Sequence, residues 1–108
     1  ASNGDLYFTD QGQTGIADPT GRVFRLTANG ELRRLAENGP SPNGITLSTT
    51  EKHVYVGMTR SNSVWRLPLR ADGPVSKSGV AIQLSGGGAG PDGIEMDAEN
   101  GLLVCQLG

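Results

Sequence analysis

One cysteine and one histidine in 108 residues leave little room for several common chemistries. Cys105 has no partner for an internal disulfide, and its place in the run Leu102–Leu103–Val104–Cys105 reads as a small buried hydrophobe. His53 follows Thr50–Glu51–Lys52, in a turn ahead of an apolar stretch, where an exposed histidine is expected rather than the base of a nucleophilic triad. No Gly-x-Ser-x-Gly elbow occurs to supply a serine nucleophile. Long apolar runs are missing as well. Nothing approaches the ~18 residues of a membrane-spanning helix, so no membrane association is expected. There is no basic-then-apolar leader, although the sequence opens on Ala1 rather than Met; the compartment stays open, with the cytoplasm expected ahead of secretion.

Positive charge is also scarce. The net charge is −2, and the nearest thing to a basic cluster, Arg22, Arg25, Arg33 and Arg34, is interrupted by apolar residues and by Asp18 and Glu31. Such a stripe reads as a solvated strand face and cannot neutralise a run of phosphates, so nucleic acid is not an expected partner.

Glycine, by contrast, is abundant. The 17 glycines fall beside Asn, Asp, Pro and Ser, the pattern of an all-β chain with many tight turns. Three short strands are legible as Leu6–Tyr7–Phe8, Val54–Tyr55–Val56 and Leu102–Leu103–Val104, and their centres at 7, 55 and 103 are 48 residues apart in both intervals. A second series, Asn43-Gly44-Ile45-Thr46-Leu47-Ser48 and Asp92-Gly93-Ile94-Glu95-Met96-Asp97, recurs after 49 residues. A third pairs Arg22-Val23-Phe24-Arg25-Leu26 with Ser63-Val64-Trp65-Arg66-Leu67 after 41, because the loop from Asp10 to Gly21 is the longer one.

A full period therefore holds four antiparallel strands, the last near Val80 to Leu84 after a turn at Asp72–Gly73, which is the make-up of a propeller blade. A small β-sandwich with coincidental spacing is the competing architecture. Agreement of three series in order favours the propeller, and no blade carries a Gly-His…Trp-Asp signature, since Trp65 is followed by Arg66. The expected fold is all-β: about two and a quarter blades of a six-bladed β-propeller, with residues 1–108 an internal segment of one propeller domain in a chain of about 300 residues. The remaining blades would be its structural partners.

In a propeller the first strand of each blade lies nearest the central axis, so equivalent residues there share height and radius. Asn43 and Asp92 form such a pair, each preceded by proline and followed by Gly-Ile. Oxygens gathered at the mouth of a central channel suit a hard cation such as Ca²⁺, which takes six to eight of them. One carboxylate and one amide are too few, and one period before Asn43 falls just ahead of Ala1. Asn-Gly and Asp-Gly are equally the commonest tight-turn dipeptides, and Asn3, Asn29, Asn38 and Asp72 begin others, so a plain turn is the alternative reading of both sites.

Other motifs carry less. The run Gly86–Gly87–Gly88–Ala89–Gly90 has no helix or Lys-Ser/Thr after it and reads as a loop delivering Pro91 and Asp92, not a phosphate cradle. Glu95, Asp97 and Glu99 lack the spacing of an EF-hand; Asp97 and Glu99 are expected to cap a hairpin turn at Asn100–Gly101.

The segments Gly4-Asp5-Leu6-Tyr7-Phe8-Thr9-Asp10, Ser41-Pro42-Asn43-Gly44-Ile45-Thr46-Leu47-Ser48 and Gly90-Pro91-Asp92-Gly93-Ile94-Glu95-Met96-Asp97 resemble, in order and spacing over all 108 residues, the family of gluconolactonase, regucalcin (senescence marker protein) and luciferin-regenerating enzyme. The resemblance implies a six-bladed propeller with a divalent metal on the axis, usually Ca²⁺, with Zn²⁺, Mg²⁺ or Mn²⁺ as other possibilities. It implies hydrolysis of sugar lactones or related cyclic esters, with a small-molecule lactone as substrate. By motif, Asn43 and Asp92 match two metal ligands, and Asp92 matches the residue that also handles the proton. Asp10 closes a Tyr-Phe-Thr-Asp motif of the bacterial lactonase branch, which implies a place near the metal; capping of its own loop is the alternative. The family's first-blade glutamate and a further asparagine have no counterpart among these residues, so the segment alone is expected to be inactive. A non-catalytic propeller used as a binding platform, and a propeller of the strictosidine synthase type, are the competing functions.

Overall fold

The computed structural model describes residues 1–12, 19–70, 78–87 and 89–107. Among these, nine strands follow one another: β1 (Leu6–Asp10), β2 (Gly21–Leu26), β3 (Leu32–Gly39), β4 (Pro42–Leu47), β5 (His53–Met58), β6 (Ser63–Pro68), β7 (Gly79–Gln83), β8 (Gly90–Met96) and β9 (Leu102–Leu107), with one 3₁₀ turn at Thr59–Ser61. They pair antiparallel in chain order into sheets of three, four and two strands. The four-stranded sheet is one complete blade; the others are the last three strands of one blade and the first two of the next. The predicted turn at Asp72–Gly73 lies outside the described residues, as does part of the long loop after Asp10. No helix among the described residues is long and apolar enough to cross a membrane.

Strand register explains why the two clearest repeats differ by one residue. Ile45 pairs with Val56 and Ile94 with Val104, while Leu47 pairs with Val54 and Met96 with Leu102. The turn after β4 is closed by Ser48 N–H to the His53 carbonyl, and the turn after β8 by Asp97 N–H to the Gly101 carbonyl, one residue sooner. Asp97 caps that second turn as expected, its Oδ1 accepting from the amides of Glu99 and Gly101. His53 is the first residue of β5, half-buried opposite Pro68, rather than an exposed turn residue.

Blades stack face to face, and burial in the complete blade is concentrated in β5 and β6, whereas every residue of β7 is exposed. Val54, Val56, Met58 and Leu67 on one face meet Val23, with Tyr7, Leu35 and Ala36, from the preceding blade. Val23, Val54, Val56, Met58 and Leu67 are 0–1% exposed, and burial of each such side chain contributes about 1.5–3 kcal/mol. Leu6 and Phe8 precede Val54 and Val56 by one 48-residue period, yet both are exposed, with Phe8 stacked on Phe24 at 5.2 Å between ring centres. Burial at these positions therefore depends on the blade that stacks against them rather than on residue type. The same reason corrects the expectation for Cys105: it is exposed, on the outer strand of a two-stranded sheet.

The arginine stripe also needs correction. Arg22 and Arg34 are exposed, but Arg25 is buried. Its guanidinium is paired with the Asp5 carboxylate through Nε (2.8 Å) and Nη2, donates through Nη1 to the Arg70 carbonyl in the next blade (3.2 Å), and lies 5.8 Å from the centre of the Tyr7 ring. The other Asp5 oxygen accepts from the Ala28 amide. A buried charge is tolerable only when paired in this way.

A second inter-blade tie recurs with the repeat. The turn residue Glu51, in the left-handed region at φ 59°, accepts from the amide and hydroxyl of Ser2 in the preceding blade (2.8 and 2.6 Å). One blade on, Asn100 at φ 64° accepts from the amide and hydroxyl of Thr49 (both 3.2 Å). Glycine would adopt this backbone more easily, but only a side-chain oxygen can receive the two donors.

Both acids are shifted by these contacts. The hydrogen bond from Arg25, then that from the Ala28 amide, lowers the Asp5 pKa; the hydrogen bonds from the Ser2 hydroxyl and amide lower that of Glu51. Each binds its proton less tightly folded than unfolded, so its stabilisation is complete above the ordinary carboxylate range and is lost as pH falls through the depressed folded value. Urea unfolding from pH 7 downward should show stability falling below about pH 5. Asp5→Asn should flatten that fall while lowering stability at pH 7; an unchanged slope would contradict the linkage.

Candidate metal centre

Asn43 and Asp92 are not turn residues. Pro42 pairs with Met58 and Ile45 with Val56, so Asn43 and Gly44 together face the single residue Gly57. Pro91 pairs with Gln106 and Ile94 with Val104, so Asp92 and Gly93 together face Cys105. Each candidate ligand is thus the first residue of a β-bulge, at the same place in successive innermost strands. A bulge adds twist and re-aims a side chain, which is why bulges gather beside functional sites. The Pro-[Asn/Asp]-Gly-Ile pattern has a physical basis here: proline sits at the entrance of the strand, and in β4 glycine fills the crowded second bulge position. The Asn-Gly pairs at Asn3 and Asn29 sit in ordinary turns, with Gly4 at φ 92° and Gly30 at φ 88°.

The two bulges touch through their backbones. A Cβ added to Gly44 would lie 2.2 Å from the Asp92 carbonyl oxygen and 2.7 Å from the Ile94 nitrogen. Innermost strands β4 and β8 therefore lie against each other with no side chain between them at this level. Threonine hydroxyls reinforce the contact from the second strand of each preceding blade or just beyond it. Thr9 Oγ1 donates to the Asn43 carbonyl at 2.8 Å, and Thr59 Oγ1 donates to the Pro91 carbonyl at 2.6 Å.

Both candidate side chains are half-buried, and among the described residues neither has a hydrogen-bond or ion-pair partner. A half-buried amide and carboxylate without protein partners, on adjoining strands, are oxygen donors available to a ligand. Their chemistry fits a hard cation such as Ca²⁺, and two donors fill only part of its shell of six to eight. No group of three or more His, Cys, Asp or Glu side chains converges among the described residues.

Asp10 ends β1, one residue beyond Thr9, whose hydroxyl reaches the Asn43 carbonyl, and so stands at the end of β1 nearest the Asn43 bulge. It is exposed, and its Oδ1 accepts from the Gly12 amide at 3.1 Å, the loop cap foreseen as its alternative role. Neither Thr9 nor Thr59 was legible as a site residue. Thr9 lies inside the Tyr-Phe-Thr-Asp motif, but nothing in the sequence around Thr59 marks it.

Twisted antiparallel sheets stacked face to face, with equivalent bulges on adjoining inner strands, define a β-propeller. The family model for the SMP-30/gluconolactonase/LRE-like region matches residues 1–108, and the chain belongs to that family. It is 33% identical over 117 residues to lactonase drp35 of Staphylococcus aureus strain MRSA252, covering 99% of this chain and 34% of the relative. The drp35 lactonase of Staphylococcus haemolyticus is 32% identical over 111 residues with the same coverage. The chain thus spans about a third of the length of these relatives.

Among solved structures, a calcium-binding protein, regucalcin, from Agrobacterium tumefaciens superposes with a TM-score of 0.79 at 27% identity, covering 96% of this chain and 35% of that one. A luciferin-regenerating enzyme superposes at 0.75 and 23% identity, covering 94% and 35%, a likeness of fold. Two and a quarter blades on 35% of such a chain scale to about six blades, as the repeat length predicts.

Proposed function

We propose that this segment belongs to a divalent-metal-dependent lactone hydrolase, with calcium the metal its donors suit best. The observation that carries the reading is the pair of unpartnered, half-buried oxygen donors, Asn43 and Asp92, on equivalent bulges. The lactonase relatives and the calcium-binding solved structure support it.

In this reading Asn43 supplies a carboxamide oxygen and Asp92 a carboxylate oxygen, while residues beyond this segment complete the shell. Asp10, whose other carboxylate oxygen is not used by the Gly12 cap, is a third donor at the same end. When bound, the metal polarises the lactone carbonyl and offsets the charge that develops on its oxygen. The Asp92 carboxylate takes a proton from the attacking water as the water oxygen bonds to the carbonyl carbon. The ring C–O bond then breaks, and the proton passes to the leaving alkoxide, giving a hydroxy acid. Holding a cation and accepting a proton are in tension at Asp92, because a carboxylate bound to a cation is a weaker base. One unshared carboxylate oxygen is therefore required.

The test is hydrolysis of a sugar lactone by the full-length protein after chelation and dialysis. Turnover should vanish and return on adding Ca²⁺; undiminished turnover by metal-free protein would overturn the reading. The 108-residue segment alone should give none.

A further inference from the structure

Thr59 joins the two inner strands that carry the candidate ligands. It opens the 3₁₀ turn after β5, and its own N–H donates to the carbonyl of Ser41 at 2.9 Å, immediately before Pro42 and Asn43. Its hydroxyl donates to the carbonyl of Pro91 at 2.6 Å, immediately before Asp92. Ser41 and Pro91 are both buried, and Pro91 has no N–H, so its carbonyl is its only main-chain polar group. One residue thus holds the entrance of β4 with its backbone and the entrance of β8 with its side chain.

The surroundings keep Thr59 itself from moving. Gly90 passes so close that an added Cβ would lie 2.0 Å from the Thr59 carbonyl oxygen, and Gly90 is in the left-handed region at φ 94°. The neighbouring Arg60 amide donates to the Pro40 carbonyl at 3.1 Å. Asn62, at φ 50°, closes the turn onto the Thr59 carbonyl and donates through Nδ2 to the Gly86 carbonyl in the loop leading to β8. Gln106, opposite Pro91 in the ladder, donates to the Asn62 Oδ1 at 2.9 Å and to the Gly86 carbonyl at 3.0 Å. The loop that delivers Asp92 is therefore fastened at Gly86, ahead of the proline, as well as at the Pro91 carbonyl.

We propose that Thr59 is a positioning residue for the metal centre: its hydroxyl fixes the Pro91 peptide, and through it the heading of the Asp92 carboxylate relative to Asn43. This rests on the metal reading above. Valine keeps the β-branched shape of threonine but removes the hydroxyl that donates to the Pro91 carbonyl, so the peptide before Asp92 loses its tie to the turn.

The measurement is calorimetric titration of metal-free, full-length protein with CaCl₂. Thr59→Val should raise Kd by about tenfold or more, the range for loss of a group that orients a metal ligand. Thr59→Ser, which restores the hydroxyl, should stay within about twofold of wild type; Thr59→Ala gives the same reading as valine should the valine disturb the turn. Ser61→Ala is the control for a merely structural effect, because the Ser61 hydroxyl in the same turn bonds to Ser63 and to the Met58 carbonyl and makes no hydrogen bond to β4 or β8. Equal Kd values for wild type and Thr59→Val, or an equal rise in Ser61→Ala, would overturn the proposal. Failure of the metal reading shows separately, as absence of binding by the wild-type protein, and removes the proposal with it.

Discussion

Asp92→Asn in the full-length protein should lower kcat/KM for lactone hydrolysis by about 10³-fold, or about 4 kcal/mol of transition-state stabilisation, the scale set by a positioned general base. The substitution keeps an oxygen that can still face a cation and keeps the shape of the bulge, but removes the basic carboxylate. Activity should therefore stay low even when Ca²⁺ is raised until the variant is fully loaded. Far-ultraviolet circular dichroism and the thermal midpoint of the metal-free protein should match wild type, because Asp92 has no partner among the described residues to lose. Recovery of normal kcat at saturating calcium would leave Asp92 as a ligand only and would move the base to another residue.

Gly44→Ala should be strongly destabilising. The added methyl would meet the Asp92 carbonyl oxygen at 2.2 Å, the Ile94 nitrogen at 2.7 Å and the Gly93 carbonyl carbon at 3.0 Å, all of them backbone. No rotamer change relieves such a clash, so β8 must move away from β4 as a whole. Overpacking of this kind costs about 1–3 kcal/mol and occasionally more, and about 3 kcal/mol is expected here, read as a lower urea midpoint in the full-length protein. A urea midpoint equal to that of wild type would mean that β4 and β8 do not adjoin at the bulges.

The repeat was the most legible feature of the sequence because it depends on local pattern. Tyr7, Tyr55 and Leu103 lie in β1, β5 and β9, the final strand of the complete blade falls at 79–83, and the sheets divide where the blades were expected to divide. The candidate ligands were legible as a pair but not in their conformation. Asn-Gly and Asp-Gly look like turns locally, and only pairing with a partner strand shows that two residues face one.

Residues whose roles depend on distant groups were misread or missed. Arg25 looked solvated because its partner Asp5 is 20 residues earlier and becomes adjacent only through the β1–β2 ladder. Cys105 looked buried because its neighbours are apolar, whereas burial on a blade face depends on what stacks against it. Thr59 carries no sequence signal, since its importance comes from two carbonyls, Ser41 and Pro91, on different blades.

The central claim is that Asn43 and Asp92 face one cation that lactone hydrolysis requires. Its most direct test is to follow sugar-lactone hydrolysis by chelated, full-length protein while CaCl₂ is titrated, with bound metal measured on the same samples. Turnover should rise in proportion to bound calcium, saturate near one ion per chain, and require higher calcium in Asn43→Ala. Full turnover without bound metal, or a calcium dependence indifferent to Asn43, would contradict it.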